Sequence, residues 1–212
     1  DFNKIIELDP KDADAYNYRG TAWSYLEKYE KAIKDYDKAI ELDPKDADAY
    51  NNRGIVWDDL KEYEKAIDDY SKAIELDPKD TKAYYRRGFV WYKKQEYDKA
   101  IDDYSKAIEL DPNYAKAYYN RGTTWGYLKE YEKAIDDYTE AIRLDPNYAW
   151  AYNNRGIAWD DLKEYEKAID DYTETIRLDP NYAKAYYNRG IAWKNLKEYE
   201  KAIDDYTEAI RL

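Results

Sequence analysis

The sequence contains no cysteine, no histidine and no methionine. Without cysteine there are no disulfides and no thiol chemistry, and the compartment is left open. Without histidine, imidazole acid–base catalysis is gone and transition-metal sites lose their commonest ligand, so no metal and no cofactor is expected. No apolar run approaches the roughly 18 residues of a membrane-spanning helix. Positive charge is short as well: 35 Lys and Arg face 47 Asp and Glu, a formal net charge of -12. Nucleic-acid binding needs a basic face that displaces counterions, and an anionic membrane surface needs the same. Partners are therefore expected to be cationic, neutral, or anionic only at a local patch, with no nucleic acid and no membrane among them. No phosphate-cradling glycine loop or nucleophile elbow occurs. Asp9–Asp14 superficially looks like a calcium loop but lacks its glycine and closing glutamate. Adjacent carboxylates such as Asp58-Asp59 point to different faces of a helix and make a poor acid–base pair. The chain does not read as an enzyme.

What is present is one unit repeated, cleanest in Ala115–Tyr148. Asp-Pro recurs at Asp9-Pro10, Asp43-Pro44, Asp77-Pro78, Asp111-Pro112, Asp145-Pro146 and Asp179-Pro180, always 34 apart, and so uses all 6 prolines. Arg-Gly recurs in step from Arg19-Gly20 to Arg189-Gly190. A fixed period of this size marks a repeat architecture. One array is expected over residues 1–212: a partial unit 1–12, full units 13–46, 47–80, 81–114, 115–148 and 149–182, and a last unit 183–212 that stops before its Asp-Pro. We expect the segment to be excised from a longer array or engineered, with any targeting signal lost.

Each unit reads as two antiparallel helices. Tyr118, Gly122 and Trp125 lie on one helical stripe, and Tyr131, Ala134, Ile135, Tyr138, Ala141 and Ile142 repeat that spacing. Lys129 and Glu130 mark the turn, although no glycine or proline punctuates it. Asp145-Pro146 ends the second helix, because a residue before proline is pushed out of the helical region. A glycine inside a helix costs about 1 kcal/mol against alanine. Six copies of the Arg-Gly glycine therefore require a close neighbour, with Trp125, Tyr131 and Tyr138 as the large partners. A lone helix pair has too little core, so stacking on the next pair must supply stability.

The unit resembles the tetratricopeptide repeat, carried in the fourth copy by Tyr118, Arg121, Gly122, Trp125, Ala134, Tyr138 and Pro146. Tryptophan and tyrosine have exchanged places in the first helix, and the family's leucine is an arginine in every copy. The resemblance implies an all-α, right-handed superhelical solenoid whose first helices line a concave groove. It also implies a protein or peptide as partner. The six arginines are expected to pack along their stems and pair with Asp35, Asp69, Asp103, Asp137, Asp171 and Asp205, since a planar guanidinium suits partly buried pairing. A ladder gripping an anionic polymer is the competing role.

Information lies where copies disagree. Ala115–Leu144 and Ala183–Leu212 differ only at Thr123/Ile191, Thr124/Ala192, Gly126/Lys194 and Tyr127/Asn195, all on the first helix. Duplication with a few accidental substitutions would also produce this, but clustering favours a recognition surface. The candidate groove residues are Asn17, Thr21, Asn52 and Asp58 in the acidic early units. They continue with Lys82, Tyr85, Arg86, Phe89 and Tyr92 in the third, Lys116, Tyr119 and Asn120 in the fourth, Trp150, Asn153 and Asn154 in the fifth, and Tyr187 in the sixth. Amides suit a peptide backbone and rings its side chains. Chaperone-binding members of the family clamp a terminal carboxylate with five residues. Asn52, Lys82 and Arg86 match three of those places, whereas Asn17 and Thr21 replace the other two. The competing expectation is a scaffold without a dedicated ligand that associates head to tail, because the last helix leaves its docking surface uncovered.

Overall fold

The computed structural model describes residues 2–212, and these contain thirteen helices and no strand. A short α1 (Phe2–Leu8) precedes six helix pairs: α2 (Ala13–Tyr25) with α3 (Tyr29–Leu42), α4 (Ala47–Asp59) with α5 (Tyr63–Leu76), and α6 (Thr81–Lys93) with α7 (Tyr97–Leu110). The pairs continue as α8 (Ala115–Tyr127) with α9 (Tyr131–Leu144), α10 (Ala149–Asp161) with α11 (Tyr165–Leu178), and α12 (Ala183–Asn195) with α13 (Tyr199–Arg211). The chain forms two compact units that divide after Leu110. In the first unit each second helix docks on the next first helix, α3 on α4 and α5 on α6, while α2, α4 and α6 lie side by side. In the second unit α9 docks on α10 and α11 on α12, and α8, α10 and α12 lie side by side.

The turn inside each pair is closed by an unexpected residue. Glu27, Lys61, Gln95, Lys129, Lys163 and Lys197 all have positive φ, from 55° to 65°. Lys129 N–H donates to the Gly126 carbonyl and Glu130 N–H to the Trp125 carbonyl, both at 3.0 Å. These two bonds satisfy carbonyls that a helix end leaves orphaned, in the arrangement that normally favours glycine. A non-glycine residue pays about 1 kcal/mol for this conformation. No glycine or asparagine marks the position in any copy.

The pairs share one frame. A Cβ on Gly20, Gly54, Gly88, Gly122, Gly156 or Gly190 would lie 2.6 to 3.1 Å from a ring carbon of Tyr36, Tyr70, Tyr104, Tyr138, Tyr172 or Tyr206 respectively, so the expected close neighbour is that ring. Each arginine makes the expected bidentate pair: Arg155 Nε and Nη2 donate to Asp171 at 2.8 and 2.7 Å, and Arg53 grips Asp69 at 2.8 and 2.6 Å. Asp35, Asp69, Asp103, Asp137, Asp171 and Asp205 are all buried. Within each unit the remaining Nη1 reaches back to the preceding second helix, for example Arg87 to Ser71 at 2.9 Å and Arg155 to Thr139 at 3.0 Å. Each such guanidinium is thus consumed inside the fold and is not free to grip a polymer. Burial holds the Asp69, Asp103, Asp137 and Asp171 carboxyls above the ordinary aspartate range while the arginine bonds pull them back.

Rings are shared across junctions. Trp57 and Tyr63 pack with Ile67, Tyr70 and, from the next first helix, Val90 and Trp91. Trp159 and Tyr165 do the same with Ile169, Tyr172, Ala192 and Trp193. Neither Trp57 nor Trp159 is bathed in water, and Lys65 and Lys167 each hold an ammonium 4.4 Å from their ring centroids. Burying rings of this size is the main stabilising contribution of each junction.

Candidate interaction face

The first helices carry the residues that vary, and their joints differ between the units. In the first unit Asp12, Asp46 and Asp80 cap α2, α4 and α6, accepting the N–H of Ala15, Ala49 and Ala83 at 2.9, 3.1 and 3.1 Å. Two of these carboxylates also take an amide from the preceding first helix: Asn17 donates to Asp46 at 3.0 Å, and Asn51 donates to Asp80. Asn52 in turn donates to the Asn17 side-chain oxygen at 2.9 Å. At the next joint Arg86 stands where Asn52 stood and lies against the Tyr70 hydroxyl instead. The Asn51 side-chain oxygen is consequently enclosed without a partner.

In the second unit Tyr114, Tyr148 and Tyr182 occupy the capping place and make no side-chain cap bond. The Tyr148 ring lies 4.8 Å from Tyr119, and the Tyr119 hydroxyl accepts from Asn154 at 3.1 Å. Asn153 donates to Asn154 at 3.1 Å and accepts from Asn188 at 3.5 Å.

The predicted groove residues divide into two groups. Asn17 and Asn153 are buried, and their amides are spent on joining neighbouring first helices. Thr21 donates to the Asn17 carbonyl at 3.1 Å and accepts from Tyr36 at 3.2 Å. Tyr85 leans on Tyr104, and Phe89 stacks on Tyr92. Asp58 is neutralised by Lys93 at 2.8 and 2.9 Å. Asn120 and Tyr119 are half-buried, whereas Lys82, Lys116, Trp150 and Tyr187 are exposed, Trp150 by 57% and Tyr187 by 54%. Of the four positions that separate the fourth and sixth copies, Thr124/Ala192 lies in the core.

Two openings lie on these faces. One, of about 480 Å³, is lined by Asn52, Lys82 and Arg86 together with Asn51, Asp48, Asp77 and Asp80. The structure therefore brings together the three residues that match a carboxylate clamp, but among three aspartates. The other, of about 320 Å³, is lined by Thr123, Gly126, Tyr127, Tyr131, Tyr138, Asn154, Ile157, Ala158 and Asp161. Sequence reasoning placed Tyr131 and Tyr138 in the core and missed Ile157. The available signal was Gly126, the one glycine of the 7 outside the Arg-Gly series.

Among the described residues no group of three or more His, Cys, Asp or Glu could hold a metal, and no helix is long and apolar enough to cross a membrane. Stacked antiparallel pairs with variable first-helix faces define a helical-repeat protein. The chain belongs to the tetratricopeptide repeat family, whose sequence model matches residues 13–46, 47–80, 81–114, 115–148, 149–182 and 183–212. This family is one of protein-interaction scaffolds, in general without catalytic chemistry. No curated protein matches the chain. Among solved structures it is similar to YrrB, described as a TPR protein with an unusual peptide-binding site, at 28% identity and a TM-score of 0.74, covering 87% of this chain and 95% of that one. It is similar to MamA at 28% identity and a TM-score of 0.72, covering 74% and 92%. PilF of Pseudomonas aeruginosa shares the fold at 21% identity and a TM-score of 0.79, covering 93% and 90%.

Proposed function

We propose that the chain is a protein-interaction scaffold that takes an extended peptide along the concave face of its first helices. The observation that carries this reading is the location of the two openings. Each is walled mostly by first-helix side chains at positions that differ between copies, whereas the arginine, glycine and tyrosine frame is constant. The described peptide-binding site of YrrB, 28% identical over most of both chains, supports the same reading. Exposed Trp150 and Tyr187 offer rings for side chains, and Lys82 and Arg86 offer charge-assisted hydrogen bonds to a carboxylate. A peptide-library pull-down tests it, repeated with Arg86→Ala, Trp150→Ala and Tyr187→Ala. Enriched peptides should be lost in at least one variant; a library that enriches nothing, or enrichment untouched by all three, removes the reading.

A second reading, head-to-tail association of the chain, is favoured by α13. Ile203 is 61% exposed, whereas its counterparts Ile67, Ile101, Ile135 and Ile169 are 7 to 8% exposed, and Ile210 and Tyr199 are exposed beside it. Ile5 and Leu8 of α1 are exposed too. Sedimentation should show concentration-dependent association that Ile203→Lys abolishes; a strict monomer at high concentration ends this reading.

A further inference from the structure

The cleft beside Gly126 has no packing explanation. The six Arg-Gly glycines are each required by a tyrosine ring, but a Cβ on Gly126 would meet only the Tyr138 hydroxyl, at 3.8 Å, an ordinary contact. Nor does Gly126 take a positive φ. Glycine weakens a helix, so a place that tolerates a side chain ought to carry one. The preceding copy does: Tyr92 stands there, stacked 6.4 Å from Phe89 and tilted against Tyr97 at 6.0 Å. In the fourth copy Gly126 and Thr123 replace both rings, and the space they leave is open. Its walls are the Tyr131 and Tyr138 rings, the 60% exposed Tyr127 and Ile157, with Asp161 at its edge.

The acidic edge is itself unbalanced. Asp58-Asp59 and Asp160-Asp161 hold equivalent places in the second and fifth copies. The first pair is answered by the next copy: Lys93 contacts both Asp58 oxygens, and Arg86 and Lys93 both act on Asp59. In the sixth copy those two places are Asn195 and Asn188. No cation replaces them, and Asp160 Oδ1 is enclosed without a partner. Burial and the Asp161 charge push the Asp160 carboxyl above its ordinary range, which an arriving cation would reverse.

We propose that this cleft is an arginine pocket, in which a guanidinium of the partner peptide stacks between the tyrosine rings and pairs with Asp161, bringing to the Asp160-Asp161 pair the positive charge it lacks. Lys93 is the fold's own example of a cation answering the equivalent acidic pair, supplied there by the following copy. A planar guanidinium suits the cleft better than an ammonium because it stacks on ring faces and still presents its edge to carboxylates. The inference rests on the reading of the first-helix face as a peptide groove and names the side chain that groove selects.

The test uses the full chain, amide-resolved NMR, and two probes: the blocked tripeptide acetyl-Gly-Arg-Gly-amide and the same peptide with citrulline, a neutral near-isostere. The arginine probe should shift amides of residues 123–131 and 154–161 and bind about tenfold tighter than the citrulline probe, the loss expected when a charged, stacked contact becomes neutral. Gly126→Tyr, which restores the residue that the preceding copy carries there, and Asp161→Asn should each remove that preference. Equal response to both probes, no response to either, or a preference that survives Gly126→Tyr overturns the proposal. A library peptide that binds the first helices with no basic residue at this cleft would overturn it too, while leaving the groove reading standing.

Discussion

The two units use the same frame and different joints. In Ala13–Leu110 the first helices are joined by amide-to-carboxylate bonds, and the acceptor doubles as a helix cap. In Ala115–Leu212 the caps are gone and a tilted tyrosine pair takes their place between α8 and α10. A capped polar joint is directional and fails when either partner is removed, because an amide is then left buried. An aromatic joint loses mainly area and stacking, and tolerates repacking. The helix-pair frame is thus indifferent to how its first helices are sewn together.

The largest expected effect tests the shared frame. Arg87→Met and Arg155→Met each leave a buried aspartate unpaired, which should cost about 3 kcal/mol in either unit. Markedly unequal losses by hydrogen exchange would break the claim that the units differ only at their joints. Next, Asp80→Ala removes a cap and strands the Asn51 amide, for about 2 kcal/mol, whereas Tyr148→Ala should lose closer to 1 kcal/mol of stacking. Importing the aromatic joint with Asn51→Tyr and Asp80→Tyr together should recover more stability than either single change; failure to recover would show that the joints are not interchangeable.

Alkaline pH should act on both units alike. Burial raises the phenols of Tyr70, Tyr104, Tyr138 and Tyr172 well above their ordinary value. A folded pKa above the unfolded one gives stability that is complete below the unfolded value, about 10 for tyrosine, and is lost as pH rises beyond it toward the folded value. Helical circular dichroism should therefore collapse cooperatively together with a late rise in tyrosinate absorbance; a smooth tyrosinate titration with the helices intact would contradict the burial. The smallest effect is a gain. Lys61→Gly and Lys129→Gly relieve a left-handed residue and should each stabilise by about 0.5–1 kcal/mol in thermal unfolding.

The helix pairs, the arginine–aspartate partners and the ring above each Arg-Gly glycine were legible in the sequence, because each follows from a fixed spacing within one 34-residue period. The left-handed turn at Lys129 was not, since nothing in a lysine signals positive φ and only the hydrogen-bond closure demands it. Asn17 and Asn153 were read as groove amides because helical periodicity identifies a face but not which of its residues the adjoining helix covers. Gly126 was visible as a variable position; that it opens a cleft depends on Tyr138, which is 12 residues away on another helix.

Arg53 finds Asp69 sixteen residues ahead and Asp37 sixteen behind, and Arg155 does the same with Asp171 and Thr139. Both reaches are set by the period, so excising or inserting a whole 34-residue block leaves every surviving guanidinium with an acceptor on either side. Recombination between copies would thus create no electrically incomplete seam. An array wired this way can change its copy number in a single genetic event and still fold at the splice.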